Sequence, residues 1–299
     1  MGWSSLTFLY LFLVFFLILC ILLFTKVEIK EGFTQNERFI VKRKEDIYDN
    51  YYSPIYKILH EPEKNADFIT DIVIKDTLAN KKTSVVLIIG CETGVLANQL
   101  QEKGIDTYII DESKDMIKNA LLQYPHLKTK KGNIMDPMIY DKSTFSHILC
   151  TGWRLYYIQD KISFFRHVYQ WLNSGGYFII QLKDRDKFNT IISGGRSQIL
   201  NSPQNYSKKR ITETNIHFGS FQYQSKYNFD HVNNDNIVTM IENFTDVKNN
   251  HVRQNEHTFY MEPLTTILDQ LRYCGFIIKG QYELKEEEHQ FIYIVERPN

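Results

Sequence analysis

The chain has 299 residues, with 35 basic and 35 acidic side chains and 43% hydrophobic residues, a composition typical of a globular protein of one large or two small domains. The formal net charge is zero, so the chain has no excess of basic residues to bind the phosphates of nucleic acid, and no nucleic-acid partner is indicated. The four cysteines, Cys20, Cys91, Cys150 and Cys274, form no CxxC pair, which argues against a zinc site and against a disulfide framework.

An uninterrupted apolar run, LTFLYLFLVFFLILCILLF, occupies residues 6–24 and is long enough to cross the hydrocarbon core of a membrane. We predict a transmembrane anchor over residues 1–25, because the alternative, a cleaved signal peptide, would need a basic n-region and a small-residue cleavage site. Lysine and arginine flank the run only on its carboxyl side. The positive-inside rule therefore predicts a single-pass membrane protein whose globular domain faces the cytosol. Residues 26–45 are polar and aperiodic and are predicted to be a linker.

Two helices are predicted before the first strand. The segment DIYDNYYSPIYKILHEP suits a helix that begins at Ser53 and Pro54. Its tyrosines form either a packed face or the lid of a pocket, and packing is the commoner role of aromatics at helical spacing. The second helix is predicted over residues 63–80, whose apolar residues fall on one stripe.

A strand, a glycine loop, a helix and a second strand are predicted over residues 85–111, VVLIIGCETGVLANQLQEKGIDTYIID. Apolar runs without alternation are typical of strands buried on both faces, so the sheet is predicted to be parallel. Ligands of such sheets bind at the carboxyl ends of the strands. Gly90, Gly94 and Asp111 all lie at these ends, and the stretch therefore predicts a binding site.

Strands and helices continue to alternate after Asp111, which is the pattern of a doubly wound α/β domain. Ser113 and Asp160 are predicted to cap the next two helices. A short strand and turn are predicted over residues 130–134, a buried strand over residues 146–150 and a further strand over residues 177–182.

A stretch rich in Thr, Tyr, Phe and Asn follows over residues 206–260. Its alternation of apolar and polar residues predicts antiparallel strands inserted in or beside the main sheet. Helical periodicity returns at Pro263, and two final apolar runs predict a terminal hairpin. We therefore predict one α/β domain over residues 46–299, with an antiparallel β insertion.

The glycine loop, followed by an acid about 20 residues later, is shared by dinucleotide-binding and other nucleoside-binding folds. The three-glycine NAD fingerprint requires a glycine where the chain has Ala97, which disfavours an NAD-dependent oxidoreductase. The order of motifs instead resembles the class I S-adenosylmethionine-dependent methyltransferases (methyltransferase type 11 or 25). Their first motif is D-x-G-x-G-x-G or a near variant, and LIIGCETG is similar to it, with Gly90 and Gly94 in place.

Later motifs follow in the order of that family: GNI, FSHILCTG and NSGGYFIIQL. Two segments, FSHILCTGWRLYYIQDK and LKDRDKF, also resemble methyltransferase-like proteins of large eukaryotic DNA viruses. The family resemblance implies a Rossmann-like, doubly wound, mostly parallel sheet of seven strands, with S-adenosylmethionine as the cofactor. It implies that the acid ending the second strand accepts the ribose hydroxyls and that the GNI turn flanks the adenine.

The residues so implied for cofactor binding are Gly90, Cys91, Glu92, Gly94, Asp111, Glu112, Asn133, Ile134 and Cys150. Those predicted for the wall of the acceptor pocket are Tyr52, Trp153, Tyr156 and Tyr157. No catalytic residue and no metal ligand is identified. Several residues have plainer alternatives: Cys150 as a small buried residue, Trp153 as core packing, and His147 as a hydrogen-bonded core histidine.

Two positions depart from the family pattern. The acid that opens the motif and steadies the donor's ammonium group is replaced by Ile88, and the middle glycine is replaced by Glu92. A side chain at a left-handed position costs roughly 1–2 kcal/mol. A carboxylate about 4 Å from the donor's own carboxylate would cost up to about 4 kcal/mol at an effective dielectric of about 20, and would gain as much if it faced the ammonium or sulfonium. Our hypothesis is that Glu92 replaces the missing acid.

Methyl transfer requires few specific side chains, because holding two partners in line supplies much of the rate. The sequence therefore predicts a membrane-anchored methyltransferase whose acceptor is a small molecule, a lipid or a protein. The alternative, favoured by the two departures, is a catalytically inactive, membrane-tethered binding or scaffold protein.

Overall fold

The computed structural model describes residues 10–12, 37–195, 203–229, 236–285 and 287–299. The chain divides into two units, Met1–Asn36 and Glu37–Asn299. Residues 10–12 are helical, and the rest of the predicted anchor lies outside the described residues. Within the described part of the chain, no helix has the length and apolar character needed to cross a membrane.

The second unit contains twelve strands and six α-helices among its described residues. The strands are β1 (Phe39–Arg43), β2 (Val85–Ile89), β3 (Asp106–Asp111), β4 (Lys128–Lys131), β5 (Phe145–Cys150), β6 (Leu172–Lys183), β7 (Glu213–His217), β8 (Phe221–Asn228), β9 (Ile237–Asp246), β10 (Val252–Tyr260), β11 (Ile277–Glu283) and β12 (Gln290–Glu296). The helices are α1 (Tyr52–His60), α2 (Glu63–Lys75), α3 (Val95–Glu102), α4 (Lys114–Gln123), α5 (Lys161–Trp171) and α6 (Leu264–Tyr273).

The main sheet has seven strands in the order β11-β12-β6-β5-β2-β3-β4. Strands β2 to β6 pair in parallel, whereas the terminal hairpin of β11 and β12 joins the edge of β6 in antiparallel pairing. This confirms the predicted doubly wound, mostly parallel sheet of seven strands. The carboxyl ends of β2, β3, β4 and β5 therefore lie along one edge, where the sequence predicts the site.

Strand β6 begins at Leu172, five residues before the predicted start at Tyr177. The intervening NSGG lies at a register shift, because Phe145 pairs with Leu172 while His147 pairs with Tyr177. Gly175 has a φ of 71°, a conformation that glycine adopts without strain. The two glycines therefore form a bulge within the strand.

The predicted helix caps are confirmed at two of three positions. The side chain of Ser113 accepts a hydrogen bond from Met116 N, and that of Asp160 accepts one from Ser163 N. Helix α1 begins one residue before the predicted Ser53. Its first turn is held by Asp49, whose Oδ1 accepts from the backbone amides of Tyr51 and Tyr52.

A second sheet has five strands in the order β1-β10-β9-β8-β7. Strands β7 to β10 fall within the predicted β-rich stretch and are antiparallel, and they form a sheet of their own beside the main one. Within the predicted linker of residues 26–45, residues 39–45 form β1 and the start of the 3-10 turn Lys44–Ile47 instead. Strand β1 pairs with the distant β10 and is largely exposed, so it carries no apolar pattern that could reveal it.

Aromatic side chains pack the inner face of the second sheet against α1 and the loop after β5. The ring of Tyr52 meets Phe244 edge-on at 6.0 Å between centroids, and Trp153 stacks on Phe259 at 4.6 Å. The second sheet therefore faces the loop that follows the carboxyl end of β5.

Candidate active site

The loop 90–94 joins β2 to α3 and provides a backbone surface. Gly90 and Gly94 have φ values of 95° and 81°, a region that other L-residues rarely adopt. A Cβ on Gly94 would also lie 2.8 Å from Leu127 Cδ1. Only glycine fits at this position, and residues 90–94 are buried except for the partly exposed Glu92.

Asp111 ends β3 beside this loop. Its Oδ2 accepts a hydrogen bond from Cys91 N at 2.7 Å, and its Oδ1 accepts one from Ser113 N at 2.7 Å. Each carboxylate oxygen has a second lone pair that remains available. The side chain lines two cavities. Asp111 is therefore held in place by backbone and can accept two further hydrogen bonds from a ligand.

Three cavities adjoin this edge of the main sheet. The outer cavity has a volume of about 470 Å³, within the range of small-molecule pockets. The junction cavity, at Gly90 and Glu92, has about 40 Å³. The inner cavity, which reaches Lys183 and Glu287, has about 70 Å³. The junction cavity shares Asp111 with the outer one and Glu92 with the inner one, so the three form a series.

The outer cavity is the part of the series that is large enough for a nucleoside. Its wall contains Asp111, Glu112, Asn133 and Ile134. Asn133 holds its turn by accepting from Met135 N at 2.7 Å. A carboxylate acceptor and a turn with one apolar side chain thus adjoin the same space, which fits the ribose and adenine of a bound nucleoside.

Arg154 separates the outer cavity from the glycine loop. A Cβ on Gly90 would lie 3.7 Å from the Cβ of Arg154, so this side chain covers the loop. Arg154 Nη2 forms an ion pair with Glu112 Oε2 at 2.8 Å, while its buried Nε has no hydrogen-bond partner. The outer cavity therefore has room for a nucleoside, whereas the Arg154 side chain occupies the space over Gly90.

Glu92 occupies the junction between the cavities. Its backbone is left-handed, with a φ of 45°, as the family pattern of glycine implies. Its Oε1 accepts from Thr151 Oγ1 at 3.2 Å and lies against Gly152, where a Cβ would collide with it. Burial raises the pKa of the Glu92 carboxyl to about 7. The side chain therefore changes charge near neutral pH at the point where the cavities meet.

The structure separates the predicted acceptor-wall residues into two groups. Trp153 and Tyr157 line the junction cavity. Tyr52 and Tyr156 are each 1% exposed, and their hydroxyls bond to Glu242 Oε1 and to Lys183 N inside the protein. The helix and the 3-10 turn that carry these two residues direct their rings into the core.

Two residues on strand β5 have structural roles. Cys150, predicted to bind cofactor, is 1% exposed and lines none of the three cavities, and burial raises the pKa of its thiol to about 12. Its plainer reading, a small buried residue, is the one observed. His147 is confirmed as a hydrogen-bonded core histidine, since its Nδ1 lies 2.7 Å from Ser146 Oγ.

Four residues of the site were not identified from the sequence: Tyr48, Arg154, Glu242 and His257. The first two line the outer and junction cavities, and the last two lie behind Tyr157 on the second sheet. The sequence pattern of β9 does single out Glu242. Alternate residues of this strand point inward, and Glu242 is a charged residue at such a position between the apolar Met240 and Phe244.

Comparison with known proteins bears on this geometry. A family model described as a methyltransferase domain matches residues 86–176, from β2 into β6. No curated protein matches the chain. The similar solved structures include an S-adenosylmethionine-dependent methyltransferase from Clostridium acetobutylicum, with 20% identity, a TM-score of 0.62, and coverage of 84% of this chain and 99% of that one.

The chain has a methyltransferase fold. Two further structures agree. The CcbJ methyltransferase from Streptomyces caelestis has 11% identity and a TM-score of 0.64, covering 86% of this chain and 100% of its own. An amino pentose methyltransferase from Micromonospora echinaspora, solved with S-adenosylmethionine bound, has 12% identity and a TM-score of 0.55, covering 82% and 96%. The methyltransferase fold and the family match support S-adenosylmethionine as the cofactor.

Proposed function

We propose that this chain is an S-adenosylmethionine-dependent methyltransferase, held at a membrane by residues 6–24 with its globular unit on the cytosolic side. One observation carries the enzymatic part: Asp111 lines a cavity of about 470 Å³, and the junction cavity that shares Asp111 with it reaches Gly90 of the glycine loop. The apolar run and its basic carboxyl flank carry the membrane part. The resemblance to viral methyltransferase-like proteins stays a prediction.

Different residues bind the ribose, the adenine and the amino-acid part of S-adenosylmethionine. Asp111 accepts the ribose hydroxyls with its two remaining lone pairs, and Asn133 and Ile134 flank the adenine. The amides at the start of α3 face the amino-acid carboxylate. When bound, S-adenosylmethionine supplies a methyl group on a cationic sulfur. Glu92, at the junction, then places a negative charge near that cation.

In this proposal the acceptor extends from the inner cavity into the junction cavity, whose wall includes Trp153 and Tyr157. The inner cavity is polar, with Lys183 at 4.5 Å from the ring of Trp153 and Glu287 close by. A small molecule, a lipid headgroup or a protein side chain can be accommodated there. The described part of the chain has no group of three His, Cys, Asp or Glu residues arranged to hold a metal ion.

A catalytically inactive, membrane-tethered binding protein is the second candidate. Arg154 favours it, because its side chain lies over Gly90 and is paired with Glu112 at 2.8 Å. In an inactive protein this ion pair would persist and close the amino-acid end of the cavity.

Calorimetric titration of the detergent-solubilised full chain with S-adenosylmethionine and S-adenosylhomocysteine tests the proposal. We expect micromolar binding of both, which Asp111→Asn weakens about 10- to 100-fold, since hydrogen bonds to a charged group contribute about 1.5–3 kcal/mol. Asp115→Asn is the matched control, because Asp115 lies in the next helix and lines none of the three cavities. A folded protein that binds neither compound would favour the inactive candidate.

A further inference from the structure

A row of hydrogen-bonded side chains, here called the relay, leads from the site into the second sheet. Its members are Tyr48, Tyr157, His257 and Glu242. Tyr48 donates to Tyr157 Oη at 2.8 Å, and Tyr157 Oη lies 2.6 Å from His257 Nδ1. His257 Nε2 lies 2.7 Å from Glu242 Oε2. Tyr48 and Tyr157 line the outer and junction cavities, whereas Glu242 is fully buried.

The register of the second sheet creates the inner end of the relay. Glu242 on β9 pairs with Asn255 on β10, which makes His257 its diagonal neighbour on the same face. Both side chains belong to the buried phase of their strands. Two residues 15 positions apart are thereby brought into contact behind Tyr157.

Glu242 sets the direction of the hydrogen bonds. It accepts from Tyr223 Oη at 2.8 Å, from Asn255 Nδ2 at 3.2 Å and from Tyr52 Oη at 3.2 Å, as well as from His257. Burial alone would raise the pKa of this carboxyl, but His257, His60 and the hydrogen bond from Tyr223 hold it at about 2. An ionised carboxylate only accepts hydrogen bonds, so Nε2 of His257 carries its proton.

With the ring proton on Nε2, Nδ1 of His257 is the acceptor that faces the Tyr157 hydroxyl, and the hydroxyl donates to it across 2.6 Å. Burial raises the pKa of Tyr157 well above its ordinary value, so the hydroxyl keeps its proton until the proton is transferred. Each hydrogen bond of the relay therefore has its donor on the side of the cavities and its acceptor on the side of the Glu242 carboxylate.

We propose that the relay removes the proton of the methyl acceptor, with Tyr157 as the catalytic residue that contacts the acceptor and with His257 and Glu242 as positioning residues behind it. This inference rests on the proposed methyltransferase function. It identifies the acceptor class as a group that is protonated at neutral pH, a hydroxyl or an N–H, rather than an anion or a thioether.

With a hydroxyl acceptor, a lone pair of the acceptor oxygen forms a bond to the methyl carbon, and the carbon–sulfur bond breaks with its electron pair left on sulfur. The acceptor's proton passes to Tyr157 Oη as Tyr157's own proton passes to His257 Nδ1. The imidazolium that results is stabilised by Glu242 at 2.7 Å.

The first experiment examines the relay without turnover. Nitrogen-15 histidine spectra of the full chain should show His257 protonated on Nε2 and unprotonated on Nδ1, and S-adenosylhomocysteine should shift the Nδ1 signal. Tyr157→Phe should abolish that shift. His147 is the internal control, because it is buried and hydrogen-bonded but lines none of the three cavities. The opposite tautomer of His257 would overturn the proposal.

The second experiment compares two probe acceptors at about pH 8, where phenol is protonated and thiophenol is largely ionised. We expect Tyr157→Phe and His257→Gln to slow methylation of phenol about 10²- to 10⁴-fold, the usual contribution of proton transfer. Methylation of thiophenol should be nearly unchanged. Tyr140→Phe is the control, because it removes a buried hydroxyl away from the three cavities.

The outcomes separate this inference from the proposed function. Absence of S-adenosylmethionine binding contradicts the proposed function, while the tautomer of His257 in the free protein still tests the direction of the relay. Equal slowing of both probes, or donor binding without methylation of either probe, overturns the relay. Calorimetry on each variant excludes loss of the donor site as the cause of slowing.

Discussion

Glu92 is the residue at which the chain departs most from the glycine pattern. Our prediction for S-adenosylmethionine binding depends on the charge of its carboxyl group. Because burial raises its pKa to about 7, the carboxyl is mostly neutral below that pH and charged above it. We expect S-adenosylmethionine binding to tighten as the pH rises from about 6 to about 8, since the carboxylate then faces a cation. Calorimetry across this range measures the effect.

Glu92→Gln should flatten that pH dependence, whereas Glu102→Gln, at the end of α3, should leave it intact. Tighter donor binding by Glu92→Gly would contradict the hypothesis that Glu92 replaces the missing acid. The linkage to stability has the opposite sign. The folded state keeps a proton between the unfolded pKa and about pH 7, so burial of Glu92 lowers the free energy of unfolding as the pH rises through this window.

Glu92→Gly should also stabilise the fold. The residue has a φ of 45°, and relief of a left-handed conformation is worth roughly 1–2 kcal/mol. Thermal unfolding of the variant against the parent measures this. A lower melting temperature would mean that the bond from Thr151 contributes more than the strain costs.

At the scale of elements, two ion pairs join the second sheet to Asp49 in the turn before α1, a longer one from Lys42 at 3.7 Å and a closer one from Arg253. Arg253 Nη1 contacts both carboxylate oxygens of Asp49 at 2.9 Å, and the arginine side chain is 3% exposed. Loss of one partner from a buried pair typically costs about 3–5 kcal/mol, because the other charge is left uncompensated. We expect Asp49→Asn to lower the free energy of unfolding by about 3 kcal/mol, measured by urea denaturation.

The neighbouring pair of Arg43 and Glu256 provides the control. It is as short, at 2.6 Å, but the Arg43 side chain is 67% exposed. Exposed pairs contribute about 0–1 kcal/mol, so Glu256→Gln should change the free energy of unfolding little. If Asp49→Asn and Glu256→Gln lower the free energy of unfolding equally, the burial of Arg253 does not explain the strength of its ion pair.

At the scale of the whole molecule, we predict that the apolar run over residues 6–24 anchors the chain in a membrane. We expect the full chain to resist carbonate extraction from membranes. Replacing Phe15 and Phe16 by arginine should release it, since each arginine at the centre of a span costs about 2.5–3.5 kcal/mol on insertion scales. Phe15→Leu with Phe16→Leu is the matched control. Release of the full chain by carbonate would contradict the proposed anchor.

Much of the main domain was predictable because its signals are local. The glycine loop, the caps at Ser113 and Asp160, and the apolar runs of β2 and β3 each depend on neighbours along the chain. Strand β1 was missed because its partner lies more than 200 residues away, in the pairing of Phe39 with Val252. An exposed edge strand has no apolar period to detect.

The sequence by itself determined the α/β class, the position of the glycine loop and the acid at the end of β3, since these follow from residue types and short spacings. Only the tertiary structure decided which tyrosines face a cavity, that Arg154 covers Gly90, and that His257 meets Glu242. These contacts depend on the register of β9 against β10 and on how the second sheet packs over the loop after β5. Register and packing are set by many distant side chains together, so no local pattern carries them.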